Sequence, residues 1–284
     1  MWLEIGGRRR AERAAPEGGR GSKRSRGGMG ASSEDSTRDA LAAGLRAWVQ
    51  GDRCRVLLVD CDDCLYSGSC GIAQRVFSQI CDYMRSDKVG IPESEVEELC
   101  TATWASHGLT MHGLRDRGHA IDKDDWHRHV HDLDYASHLA PDPELRAMLL
   151  RLRVPAVVFS NADRVHVKKC LEALGVSDCF KGIVCYDDMN PTNATSVCKP
   201  SPEAFKVAMD AALDCLGVEQ DKRHSWGLGD FLFLDDSTRN VAGSAKAGVR
   251  AVRVGNTEPC QGASLALAQI HHLETHLPEL FESR

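Results

Sequence analysis

The feature that most limits how this chain can fold is a set of short, wholly apolar runs, each cut off by a polar residue. Val56 to Val59 stops at Asp60, Val157 to Phe159 at Ser160, and Phe231 to Leu234 at Asp235. Unbroken apolar runs of this length, without alternation, fit strands buried on both faces, as in parallel sheets. Ligands of such sheets bind at the carboxyl ends of the strands. The three polar stops, far apart in sequence, are therefore expected at one edge of one sheet.

The rest of the pattern agrees. Ala156 to Phe159, Gly182 to Cys185, Phe231 to Leu234 and Val249 to Val254 read as strands. Arg164 to Leu174, Pro202 to Leu216 and Asn240 to Ala247 read as helices, with Gly175 and Gly248 placed as C-terminal caps. The alternation predicts an α/β fold, a doubly wound parallel sheet with helices on both faces. Between 67 and 143 no strand pattern occurs. Ile72, Val76, Ile80 and Tyr83 recur at helical spacing there, as do Val96, Leu99 and Cys100. That stretch reads as an inserted helical cap on a core formed by 50–66 and 144–258. Residues 1–45 are expected to be a disordered basic extension and 259–284 a helical tail, with Leu265 to His276 as its helix.

Four polar segments follow one another: Asp60-Cys61-Asp62, Ser160-Asn161, Lys199-Pro200 and Asp235-Asp236-Ser237. Each has a mundane reading. An Asp-x-Asp is common in turns, a lysine before proline is usually solvated, Ser160 to Asp163 suits a helix cap, and an acidic pair suits a helix N-terminus. Their order, with strands ahead of three, points instead to phosphoryl transfer. Hydrolysis of a phosphate monoester calls for a nucleophile and for charge neutralisation. Asp60 is the candidate nucleophile, forming an aspartyl-phosphate, and Asp62, expected in a turn beyond the strand, the general acid and base. Lys199 would neutralise charge, and Ser160, Asn161 and Lys199 would hold the phosphate. Magnesium fits the oxygen-rich donor set: Asp60 and Asp236 by side chain, Asp62 by its backbone carbonyl, Asp235 through water. Asn240 would brace the metal loop.

The same segments resemble those of the haloacid dehalogenase-like hydrolases, and within them the pyrimidine 5'-nucleotidase branch. The likeness rests on Asp60-Cys61-Asp62-Asp63-Cys64-Leu65-Tyr66, Phe159-Ser160-Asn161-Ala162, the run Val197 to Phe205 around Lys199-Pro200, and Phe233 to Asn240. It covers about residues 55 to 255. Asp63 departs from the Asn usual in that branch. The resemblance implies a Rossmann-like core with a helical cap, magnesium with Asp236 as a direct ligand, and UMP or CMP as substrate. Phosphatases of a sugar phosphate, pyridoxal phosphate or lysophosphatidate, and a catalytically silent regulatory protein on the same fold, are the alternatives.

Specificity is expected in the cap. Trp104 to Leu114 resembles the branch's Tyr-Gly-x-x-x-x-Gly-Leu stretch, which singles out His107, Gly108, Met111 and Gly113 as substrate contacts. Trp104, Trp126 and Tyr135 are candidates for stacking on a base or for ordinary packing. His127 and His131 have the i, i+4 spacing of a zinc pair, with His129 turned away, although an exposed polar helix is the plainer reading.

Twelve cysteines without the spacing of a disulfide scaffold imply a reduced compartment, cytoplasmic or nuclear. Cys61 and Cys64 form a Cys-x-x-Cys, but inside the carboxylate motif. No apolar run is long enough to span a membrane. The first thirty residues carry eight Arg or Lys against three Glu, in a chain of net charge −6. They suit a bland tail better than a transit peptide or a nucleic-acid-binding arm, and Met29 offers an internal start. The expected partner is a small phosphate ester.

Overall fold

Strand β1 (Val56–Val59) is buried along its whole length and stands in the middle of a six-stranded sheet. The computed structural model describes residues 33–282, so the expectation for residues 1–32 lies outside the described residues. The other strands are β2 (Ala156–Phe159), β3 (Gly182–Val184), β4 (Phe231–Asp235), β5 (Arg250–Val254) and β6 (Ala263–Leu267). Their order is β3-β2-β1-β4-β5-β6, with every neighbouring pair parallel. Val59 pairs with Val158 of β2 and with Leu234 of β4. That register brings the ends of β1, β2 and β4 side by side, where the winding reverses and a crevice opens.

The helices are α1 (Ser33–Gln50), α2 (Ile72–Arg85), α3 (Glu93–His107), α4 (Thr110–Asp116), α5 (Lys123–Val130), α6 (Pro143–Leu149), α7 (Arg164–Leu174), α8 (Tyr186–Met189), α9 (Pro202–Cys215), α10 (Thr238–Ala247) and α11 (Leu273–His276). Leu45 and Trp48 of α1, Leu145 of α6 and Val167 and Leu171 of α7 cover one face of the sheet. Phe205 and Ala208 of α9 and Val241 of α10 cover the other. Caps fix the helix starts: Ser201 accepts from Ala204 N ahead of Pro202, and Ser237 accepts from Asn240 N. Helices α2 to α5 build a separate apolar cluster from Ile80, Met84, Val96, Cys100, Met111, Trp126 and Val130. Tyr186, from the sheet-bearing part of the chain, completes it. Among the described residues no helix is long and apolar enough to cross a membrane.

Two expectations need correction. Residues 33–45, assigned to a disordered extension, lie in α1, because Leu45, Trp48 and Val49 give that helix an apolar stripe to bury. Leu265 to His276, expected as a helix, begins in β6 and becomes helical only from Ile270, in a 3-10 turn (Ile270–His272) that leads into α11. Pairing with β5, as in Val252 with Leu265 and Val254 with Leu267, satisfies backbone groups on what would be an open sheet edge. The sheet therefore continues past residue 258.

Candidate active site

Lys199 is the hub. Its Nζ lies 2.8 Å from Asp60 Oδ1, 2.8 Å from Asp235 Oδ2 and donates to Phe159 O at 2.7 Å, with the side chain 1% exposed. The rings of Phe159 and Phe233 flank the ammonium at 5.1 and 5.3 Å. Asn161 aligns the backbone here: its Oδ1 accepts from Lys199 N at 2.8 Å and its Nδ2 donates to Lys199 O at 3.1 Å. The Lys199–Pro200 peptide is cis. Gly243 makes room for Pro200, since a Cβ there would lie 2.3 Å from the proline Cβ.

Asp60 follows β1 directly, and its N–H donates to Leu234 O at 2.9 Å, tying it to β4. Its Oδ1 also accepts from Cys61 N at 2.8 Å. Asp235 is fully buried and accepts from Ser237 N at 2.9 Å and from Asn240 Nδ2 at 3.1 Å. Carboxylate oxygens of Asp60, Asp235 and Asp236 all lie within 4.8 Å of one another. Burial raises the Asp60 pKa well above the usual carboxylate range; Lys199 opposes the rise, and Asp235 and Asp236 add to it. Burial and then the Asp235 charge raise Asp236 as well. Three crowded carboxylates against one ammonium leave a negative excess. Hard oxygen donors with such an excess fit a divalent cation of the magnesium type.

Asp62 lies in the turn after Asp60, and its side chain engages a second group. Oδ1 accepts from His166 Nε2 at 2.7 Å and from the Tyr66 hydroxyl. Burial disfavours the Asp62 charge, but His166 and the two hydrogen bonds hold its pKa well below the usual range. Burial likewise disfavours the His166 charge, and Asp62 overrides it, so the imidazole pKa stands well above its ordinary value. Asp63 adopts φ +57°, a left-handed conformation in which Asp and Asn are the tolerated side-chain-bearing residues. Burial and the Asp62 charge push Asp63 up to about 7.

Asp60, Asp62, Asp63, Lys199 and Asp236 border a cavity of about 200 Å³. Its polar end is Asp60, Asp62, Ser160, Asn161, Lys199 and Asp236; its far wall includes Val76, Trp104, Leu109, Met111 and Trp126. Ser160 Oγ accepts from Ala162 N at 3.0 Å, which fixes the turn after β2. Gly108 and Met111 line the cavity, but His107 and Gly113 do not. His107 instead contacts Ser106 and Asp116. Gly113 sits where α4 meets α3: a Cβ there would approach Thr103 Cβ to 2.5 Å. Tyr135 is also away from the cavity and meets His166 Nδ1 at 2.8 Å.

The sequence reading missed two residues. His166 lies on the buried stripe of α7 with Cys170 and Leu174, and a histidine in an apolar stripe directly after the Ser160 segment was the available signal. Arg239 reaches across to the insertion, donating to Trp104 O at 3.1 Å, Ala105 O at 2.8 Å and Ser106 O at 3.0 Å. It caps the carboxyl end of α3 beside Gly108, whose Cβ position would be 3.2 Å from Lys199 O.

Phosphate metabolism protein 8 of Saccharomyces cerevisiae is 25% identical over 205 residues, which are 69% of this chain and 60% of that protein. The chain thus spans less than two thirds of the length of that relative. Solved structures similar to it include a β-phosphoglucomutase from Clostridium difficile (14% identity, 79% of this chain and 97% of that one, TM-score 0.49). An L-2-haloacid dehalogenase from Xanthobacter autotrophicus is another (15% identity, 78% and 97%, TM-score 0.44). The model of the haloacid dehalogenase-like hydrolases matches residues 54–248, a span that opens just before β1, closes just after α10 and holds all four polar segments; the chain belongs to that family.

Proposed function

We propose that this chain is a magnesium-dependent phosphomonoesterase working through an aspartyl-phosphate on Asp60, with pyrimidine nucleoside 5'-monophosphates such as UMP and CMP as substrates. The observation that carries the reading is the meeting of Asp60, Asp235 and Asp236 with buried Lys199 at the polar end of a cavity whose other wall is apolar and aromatic. The name of the yeast relative ties that protein to phosphate metabolism, which is in keeping with a phosphate ester as the substrate here.

Asp60, Asp236 and the Asp62 carbonyl would hold magnesium, with Asp235 acting through water; when bound, the ion neutralises the phosphate and the nucleophile. Lys199 holds Asp60 in place and balances charge on the transferring oxygens. Asp60 attacks phosphorus, and Ser160 donates a hydrogen bond to a phosphoryl oxygen. Asn161 keeps the Lys199 backbone in register. The departing alkoxide takes a proton from the Asp62–His166 pair, and the pair recovers one from the water that opens the aspartyl-phosphate. Trp104, Leu109, Met111 and Trp126 exclude water and pack against a flat base.

The same residues would serve a phosphatase of another small ester; the apolar wall favours a ligand with a flat or apolar group over a plain sugar phosphate. The test is phosphate release from nucleoside monophosphates, sugar phosphates, pyridoxal phosphate and lysophosphatidate, with magnesium or EDTA. Preference for UMP and CMP supports the reading; preference for another ester moves the substrate, and silence across the panel removes the activity.

A further inference from the structure

A second cluster lies behind the Asp62–His166 pair. His127 and His131 stand one turn apart on and just after α5, their rings stacked at 5.6 Å and 19°. Asp163 caps the start of α7, accepting from Val165 N at 3.1 Å through Oδ2. Its Oδ1 lies 2.5 Å from His131 Nδ1 and 4.0 Å from His127 Nδ1. His127 is 6% exposed, yet neither of its ring nitrogens has a hydrogen-bond partner among the described residues. Such buried, unsatisfied polar atoms call for an explanation.

We propose that His127, His131 and Asp163 form a site for one divalent transition-metal ion of the zinc type, separate from the Asp60–Asp235–Asp236 cluster. Two imidazoles and one carboxylate suit zinc, whereas magnesium prefers oxygen donors alone. Ligand atoms of all three residues already lie within 4.8 Å of one another. Donors of a tetrahedral zinc stand about 3.3 Å apart, given bond lengths of roughly 2.0–2.1 Å. That spacing falls between the two Nδ1–Oδ1 distances, so small side-chain rotations bring the donors into place. The adjoining cavity of about 330 Å³, bordered also by Asp124, Lys169 and Asp187, supplies water for the fourth position and a path for the ion. His129 takes no part, since its ring packs edge-on against Tyr83.

The site joins two parts of the fold. His127 and His131 belong to the helical insertion, while Asp163 follows β2 three residues after Ser160. His131 also borders the catalytic cavity, with its ring 4.1 Å from that of His166. A bound ion would pin the insertion against the sheet beside the partner of Asp62. This inference does not depend on the phosphatase reading.

The test uses the full chain without a polyhistidine tag, stripped of metal and titrated with zinc against a chromophoric chelator. One equivalent should bind and raise the melting temperature. Cobalt(II) in its place should give a tetrahedral visible spectrum without a thiolate charge-transfer band. Loss of a partner outside the ligand set typically weakens metal sites 10- to 100-fold, so Asp163→Asn and His127→Leu should each weaken binding by more than about 100-fold. Asparagine keeps the helix cap, so Asp163→Asn carries the test if the His127 variant misfolds. Absence of stoichiometric zinc, unchanged affinity in Asp163→Asn, or a thiolate band assigning the ion to the nearby Cys61 and Cys170 would each overturn the proposal.

Discussion

The Lys199 ammonium and the Asp235 carboxylate meet at 2.8 Å with their side chains 1% and 0% exposed, and Asp60 takes a second contact from the same nitrogen at 2.8 Å. Removing the cation leaves two carboxylates buried together. Lys199→Met should therefore destabilise the protein by about 3–5 kcal/mol and lower turnover by at least about 10²-fold. Denaturant unfolding and phosphate release check the two effects, and an unchanged unfolding midpoint would contradict the account of the buried charge.

Gly243 sets where that lysine lies. A Cβ there would come within 2.3 Å of Pro200 Cβ and 2.4 Å of Pro200 O. Gly243→Ala is expected to cost about 1–3 kcal/mol of stability through overpacking. By moving the Lys199 segment it should also cut turnover by up to roughly 10²-fold. Melting curves and kinetics of this variant are the check; full activity would mean that the site does not depend on this contact.

The Asp62–His166 pair predicts a pH window. Asp62, held below its usual pKa, adds stability above about pH 4 that fades as pH falls. His166, held above its usual value, adds stability below about pH 6.5 that fades as pH rises through the raised pKa. The difference in melting temperature between the natural chain and His166→Gln should thus peak between these limits and shrink toward either extreme. A difference that stays constant across pH would show that the contact is not an ion pair.

His112 predicts the opposite slope. Burial, reinforced by the Arg115 charge, lowers its pKa to about 4. The unfolded chain takes up the proton first as pH drops below about 6.5, so stability falls between there and pH 4, by roughly a few kcal/mol in all. Burial sends His127 the same way, to about 3. Unfolding free energies at pH 7 and pH 5 test this, and His112→Gln should flatten part of the slope.

Much of this arrangement was legible in the sequence because each device is local. The unalternating runs Val56–Val59 and Phe231–Leu234 fit strands buried on both faces, and their polar stops mark the ends where β1 and β4 converge. Gly175 and Gly248 end α7 and α10 at φ +69° and +87°. The illegible parts are tertiary. β6 forms because β5 needs an edge partner, which no property of Ala263 to Leu267 announces. His107 and Gly113 looked like substrate contacts, yet the crossing of α3 and α4 turns them away from the cavity. His166 could be recognised as Asp62's partner only once α7 had been laid on the sheet.

The most direct test of the central claim, that Asp60 is the nucleophile of a phosphoryl-transfer site, is magnesium-dependent phosphate release from UMP by the natural chain and by Asp60→Asn. Asparagine matches the shape of Asp60 and removes a crowded buried charge, so the variant should melt no lower than the natural chain. The account predicts steady release by the natural chain and loss of at least about 10³-fold in the folded variant; near-normal release by Asp60→Asn would contradict it.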